Sequence, residues 1–300
     1  MRAVWSFWSR PFQTYKGNIW CKPLHHLLAW GLSVRTASRH YPDTVLITDR
    51  PGKKLLVERL GLHFAEVSTE LERLNKVDVG WWALGKLVAY SLQDRPFVHL
   101  DTDVFLWKPL PRHVTGAPVF AQCPEEFHSI DTSPGPRDIE QAFARQNLSL
   151  PVEWVWARSR GGSGFREDCC GIMGGTRVDF LRHYSNLALD LVLKPEHAPA
   201  WAIFPAKEWL NMVIEQFLLA ACVDFHRFHA ASPFRGVRIQ YLFPSFGHCF
   251  DPQLTARVGF THLMGGAKSH PAVARRLEER VRRENPDYFR RCERLVANMT

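Results

Sequence analysis

Three hundred residues, 46% hydrophobic and 23% charged, hold enough apolar surface for a packed core, which excludes a disordered or fibrous chain. A formal charge of +8 favours anionic partners, phosphorylated small molecules among them. Seven cysteines lack Cys-x-x-Cys or zinc-like spacing, and no apolar run reaches about 18 residues, so no zinc module or transmembrane segment is expected and the expected compartment is cytoplasmic.

Residues 3–8 (Ala-Val-Trp-Ser-Phe-Trp) read as a first strand, and Leu27, Leu28, Leu32 and Val34 recur at helical spacing within 25–39. Thr44-Val45-Leu46-Ile47-Thr48 reads as a second strand, closed by Asp49 and a turn at Arg50-Pro51-Gly52. A short helix over 54–60, a strand over 63–67 and a helix over 81–92 lead to a strand at 96–100. Strands alternating with helices predict βαβ units and a mostly parallel sheet. A strand at 118–122 precedes a polar, Pro/Gly-rich stretch over 128–165 with one amphipathic segment near 137–146, which reads as a functional loop or lid. A strand and turn at 171–175, helices over 178–192 and 207–223, strands at 238–243 and 257–262 and a helical tail over 271–297 follow. In the tail Arg275, Arg276, Arg280, Arg282, Arg283, Arg290, Arg291 and Arg294 interleave with Glu278, Glu279, Glu284 and Glu293. That pattern predicts a solvated helix with i,i+4 pairs rather than a nucleic-acid face.

The chemistry concentrates at Phe97-Val98-His99-Leu100-Asp101-Thr102-Asp103-Val104-Phe105-Leu106, where an apolar strand runs into two carboxylates and apolar residues resume at once. Such carboxylates are costly unless a cation or donor-rich ligand satisfies them. The carboxyl end of a strand is also where open α/β sheets bind ligands. Carboxylate oxygens are hard ligands suited to Mg²⁺ or Mn²⁺ completed by phosphate oxygens. An aspartyl phosphatase would want Thr or Val where Phe105 stands, and would carry the motif on its first strand.

With this motif the chain resembles the GT-A class of nucleotide-sugar-dependent glycosyltransferases, and it is similar to the family 8 and 32-like group. Four further segments carry the resemblance in order. Gly80-Trp81-Trp82-Ala83-Leu84-Gly85-Lys86 looks like the helix that places a basic residue near the donor. Cys169-Cys170-Gly171-Ile172-Met173-Gly174-Gly175 is similar to the segment Asn-Ser/Ala-Gly-Val-Met, whose small residues pass close to the sugar, although two cysteines replace its polar positions. Glu215-Gln216-Phe217-Leu218-Leu219 resembles the Asp/Glu-Gln-x-x-Leu helix, with Glu208 a weaker competitor. His262-Leu263-Met264-Gly265-Gly266-Ala267-Lys268 resembles the late motif His-x-x-Gly-x-x-Lys-Pro.

The resemblance implies a GT-A-like, Rossmann-like α/β fold over 1–270, with an insertion at about 124–166 and a helical extension over 271–300. It implies a nucleoside-diphosphate sugar donor, expected to be a UDP-sugar, bound through Mn²⁺ or Mg²⁺. Asp101, Asp103 and His262 would hold the metal, with Asp101 also reaching the ribose. Lys86, Lys268, Gly265 and Gly266 would hold the diphosphate, and Trp8, Tyr15 and Asp49 lie where base and ribose are received. Glu215 is the expected acid near the anomeric centre, with Asp168, Glu167 and Glu153 as candidate bases and Asp103 as a catalytic metal ligand. The acceptor is open: a small molecule, a glycan or a peptide, approached from 128–165 and the C-terminal helix. A sugar-phosphate nucleotidyltransferase shares the architecture, but Ser6-Phe7-Trp8-Ser9-Arg10 lacks its glycine-rich first loop. A non-catalytic nucleotide-sugar-binding protein is the third reading.

Overall fold

A computed structural model describes residues 1–15, 19–128, 134–160 and 164–298. The strands are β1 (Arg2–Phe7), β2 (Thr44–Thr48), β3 (Glu66–Ser68), β4 (Phe97–Leu100), β5 (Val104–Leu106), β6 (Val119–Ala121), β7 (Pro124–His128), β8 (Gly164–Asp168), β9 (Ile172–Gly175), β10 (Ile239–Tyr241) and β11 (Phe260–His262). The helices are α1 (Ser9–Tyr15), α2 (Pro23–Ser38), α3 (Arg50–Lys53), α4 (Leu84–Ser91), α5 (Arg112–Thr115), α6 (Pro136–Arg145), α7 (Val152–Arg160), α8 (Val178–Leu193), α9 (Ala198–Ala202), α10 (Leu218–Phe228), α11 (Pro252–Val258), α12 (Pro271–Glu284) and α13 (Pro286–Ala297). The fold is mixed α/β with a mostly parallel sheet flanked by helices, the class read from the alternating pattern. The chain forms two compact units: one comprises Met1–Val79, His99–Leu110 and Pro252–Thr300, the other Gly80–Val98 and Pro111–Asp251.

In the first unit β1 and β2 are parallel neighbours with Trp5 opposite Leu46, and β3 extends the sheet in parallel. Trp5, Trp30, Leu27, Leu28 and Leu46 are fully buried and form its core. β5 and β11 make a separate antiparallel pair. The helical tail is two helices rather than one, because Pro286 has no N–H to continue α12 and Asn285 Oδ1 accepts the Tyr288 N–H to start α13. The Tyr288 hydroxyl donates to the Leu27 carbonyl at 2.6 Å, and its ring fills the place a Cβ on Gly31 would take. Several tail arginines serve packing: Arg280 covers the Trp107 ring, Arg282 covers Phe289 and Arg291 reaches the Leu60 carbonyl. At 50–53 the structure places a helix where the sequence suggested a turn, since Asp49 caps α3, and the short helix expected over 54–60 follows it as a wide helical turn over Lys54–Arg59.

In the second unit β10 and β6 run parallel and β9 pairs antiparallel to β6. Phe120, Phe143, Trp154, Phe180, Tyr184 and Leu218 are fully buried here. The stretch read as a polar loop is built structure on either side of residues 129–133 and 161–163, which lie outside the described part. β7 and β8 pair antiparallel from Pro124↔Asp168 to His128↔Gly164. Helices α6 and α7 share a knot at Glu140, whose Oε1 accepts from Trp154 Nε1 at 3.0 Å and Arg158 Nε at 2.7 Å. The helix expected over 207–223 is present from Glu208 to Phe228, and Asn211 anchors its tightly wound start, taking the Lys207 and Glu208 carbonyls with its own amide and also bonding Gly80 O and Ala83 N. A wide turn over Val213–Phe217 then leads into α10.

Candidate functional site

The first unit brings Asp101, Asp103, His262 and Lys268 together from two distant segments. Beyond β4 the Val104 N–H closes a tight turn onto the Asp101 carbonyl at 3.0 Å, so the carboxylates project from a fixed loop. The β5–β11 register sets His262 opposite Val104, and Leu263 N–H bonds the Asp103 carbonyl at 3.1 Å. His262 Nε2 stands 3.4 Å from Asp103 Oδ1, and Lys268 Nζ stands 2.7 Å from Asp103 Oδ2. One ligand atom from each of Asp101, Asp103 and His262 falls within 4.8 Å of the others. Two carboxylates and an imidazole are a donor set that fits Mn²⁺ or Mg²⁺.

Asp103 is 3% exposed. Burial alone would protonate its carboxyl, but the Lys268 ammonium and the His262 ring overcome that penalty and hold it far below the usual carboxylate range. Asp101 is half-buried, with His99 Nδ1 at 4.0 Å and the other ring nitrogen of His99 bonded to Ser6 Oγ at 3.0 Å. Behind the turn Ser33 Oγ holds the Asp101 carbonyl and accepts from Trp5 Nε1. Lys268 rides on the short turn Gly265–Ser269; Gly265 has φ of +49°, and a Cβ on Gly265 or Gly266 would meet nothing within 4 Å. Backbone with open space beside it lets a ligand approach closely.

His26 was missed by the sequence reading. Its ring packs on Phe12 and stacks on Trp20, and burial, helped by the Lys268 charge and opposed by Asp103, lowers its pKa to about 4. Asp49 is buried and holds structure: Oδ2 accepts from Ser9 N–H and Oγ–H, and Oδ1 accepts from Gly52 N–H. Trp8 is 5% exposed, and its Nε1 finds no hydrogen-bond partner among the described residues. The Tyr15 side chain lies outside the described residues.

The second unit brings Lys86 and Glu215 together. Lys86 Nζ stands 2.9 Å from Glu215 Oε1 and donates to the Cys170 carbonyl at 3.1 Å. Tyr90 donates to the same Oε1 at 2.7 Å, and the Tyr184 hydroxyl donates to the Glu215 carbonyl. Glu215 is wholly buried; Glu208 sits apart, half-buried on the short turn Glu208–Leu210. Gly174 and Gly175 are close-approach residues between strands, since a Cβ would fall 2.0 Å from the Phe97 carbonyl oxygen or 2.1 Å from that of Pro118.

Asp168 is wholly buried, accepts from Tyr241 Oη at 2.8 Å and pairs with Arg166 at 3.0 Å; burial outweighs these partners and raises its pKa. Burial, with Glu125 and Asp168 beside it, pushes Glu167 up to about 8. Glu153 lies against His183 and His226. Arg158, Arg166, Asp224, Trp156 and Phe228 line a cavity in this unit, with the Trp156 and Phe228 rings stacked.

No helix among the described residues is long and apolar enough to cross a membrane. No curated protein matches the chain. A solved structure of an active-site mutant of LgtC is similar over 97% of this chain and 100% of that one, at 10% identity and a TM-score of 0.43. A family model, described as a family of unknown function and designated DUF6734, matches residues 1–295, and the chain belongs to that family.

Proposed function

We propose that this protein is a metal-dependent glycosyltransferase that takes its sugar from a nucleoside-diphosphate donor, with a UDP-sugar as the best fit to the motifs. The observation that carries the proposal is the convergence of Asp101, Asp103, His262 and Lys268 on one spot beside the open glycine turn. A divalent ion bound there would supply Lewis-acid neutralisation of the departing diphosphate. Asp101, Asp103 and His262 are its proposed ligands, and Asp103 is already held ionised for that role. Lys268 balances the Asp103 charge and is placed to share itself with a phosphate, while Gly265 and Gly266 leave room for phosphate oxygens to reach backbone N–H groups.

In the second unit Glu215 is best assigned as a positioning residue. It is buried and holds the Lys86 ammonium in place. Asp168 likewise orients Arg166 at the wall of the cavity, where Trp156 and Phe228 offer flat faces suited to an acceptor ring.

Titration of UDP with and without Mn²⁺, followed by hydrolysis of UDP-sugars, tests the proposal. Release of UDP and free sugar supports transfer chemistry. Nucleotidyl exchange with diphosphate would instead mark a nucleotidyltransferase, and binding without turnover a non-catalytic receptor. Asp103→Asn and His262→Ala are each expected to weaken Mn²⁺-dependent UDP binding at least about tenfold. Unchanged binding in both would overturn the metal assignment.

A further inference from the structure

Three helices of the second unit aim ligand atoms at a common point that the proposed transfer chemistry does not use. Glu153 lies in the first turn of α7, His183 on α8 and His226 near the end of α10. Oε1 of Glu153 is 3.0 Å from His183 Nε2 and 3.4 Å from His226 Nε2, and the two imidazole nitrogens are 3.2 Å apart. A tetrahedral ion bonded to three such donors at about 2.0–2.1 Å separates them by roughly 3.3 Å. The triangle therefore has the dimensions of a metal site. We propose that Glu153, His183 and His226 form a zinc-class divalent metal site with a fourth position open.

The surroundings fit that assignment. His226 Nδ1 faces Ser232 Oγ at 2.6 Å, and that oxygen also accepts the Phe234 N–H at 2.9 Å. An Nδ1–H donated to Ser232 leaves the Nε2 lone pair directed at the ion, the outer support that ligating histidines require. Phe180, Phe225 and Phe234 pack around the His226 ring, a low-dielectric wall that strengthens coordination. Two nitrogens and one carboxylate oxygen suit zinc better than the all-oxygen sets preferred by calcium or magnesium. The Glu153 and His226 side chains are 5% exposed and that of His183 is 33% exposed, so the open position faces the His183 side. No sequence spacing marks this set, since its members come from three separate helices.

The test uses the full-length chain, stripped with a chelator and titrated with Zn²⁺, with metal content read after desalting. An Asp103→Asn/His262→Ala background keeps the first site from contributing. One tightly held zinc per chain is expected in that background, together with a higher melting temperature in zinc. His183→Ala is expected to weaken zinc at least about 100-fold and to abolish the thermal shift, and Ser232→Ala to weaken it about 10-fold or more. His183→Cys retains a ligand and is expected to restore the stoichiometry, which separates a lost ligand from a lost fold. Absence of retained zinc in the background protein, or wild-type zinc affinity in His183→Ala, would overturn the proposal.

Discussion

The Lys268 ammonium stands 2.7 Å from Oδ2 of Asp103, inside a cluster that also offers Asp101 and His262 as ligands. One cation is thus built into the protein at a carboxylate suited to hold another. The lysine is what keeps a nearly buried Asp103 charged.

Lys268→Met should therefore destabilise the metal-free protein by about 3 kcal/mol, because it strips a buried carboxylate of its main counter-charge. Added Mn²⁺ should recover most of that loss in urea melts, since the ion supplies the missing charge. A midpoint that Mn²⁺ leaves unmoved in this variant would show that these carboxylates do not hold the ion.

The Lys86–Glu215 pair makes a different prediction, because both partners are buried. Glu215→Ala leaves the ammonium without its partner and should cost about 3–5 kcal/mol, whereas Lys86→Met with Glu215→Leu should recover much of that loss. Denaturant titration of the two single variants and the double variant reads the comparison. A double variant that loses as much as the two single variants together would mean that the pair is not coupled.

Glu167 gives the pH dependence a sign. Its carboxyl is raised from 4.5 to about 8, so the folded chain holds a proton that the unfolded chain releases. The associated stability is fully present below about pH 4.5 and is lost as pH rises through about 8. Glu167→Gln keeps a neutral side chain at every pH. Its stability relative to wild type should thus climb between pH 5 and 9, by up to about 4 kcal/mol. Parallel thermal melts across that range test it, and a pH-independent difference would refute the raised carboxyl.

Two glycine substitutions should separate packing from ligand access. Gly174→Ala drives a methyl into the Phe97 carbonyl oxygen and should cost about 3 kcal/mol or more. Gly266→Ala meets open space, so its folding stability should change by less than about 1 kcal/mol, while its UDP affinity falls as the methyl fills the approach to the turn. Intact UDP binding in Gly266→Ala would remove this turn from the diphosphate site.

The alternating strands and helices were legible because burial imposes period 2 or 3.6 on the apolar residues, and the Asp101–Asp103 motif stood out because its charges interrupt an apolar run. The His262 segment was visible through its glycines and lysine. What stayed hidden depends on tertiary partners. Asn211 anchors the start of its helix by bonding Gly80 and Ala83, residues far away in the chain. The glycines of β9 resembled a ligand-facing loop, yet their smallness serves strand contacts that a single sequence does not display. His183 and His226 gave no signal, because a three-helix convergence has no characteristic spacing. Inside 124–168 the amphipathic segment near 137–146 was legible and is α6, which buries Ile139, Ala142 and Phe143, whereas β7, β8 and α7 were masked by their polar composition.

The three-residue strands β5 and β11 set where the aspartate loop meets the histidine. Side chains alternate faces along a strand, so shifting that register by one residue would present Thr261 or Leu263 where His262 now stands. The proposed donor site is therefore intolerant of a single inserted residue within 101–106 or 260–262. The long stretch between β5 and β11 is under no such constraint from the register itself. Homologues can be expected to lengthen, shorten or exchange that intervening chain, and so change what they recognise, while these two short segments keep their lengths.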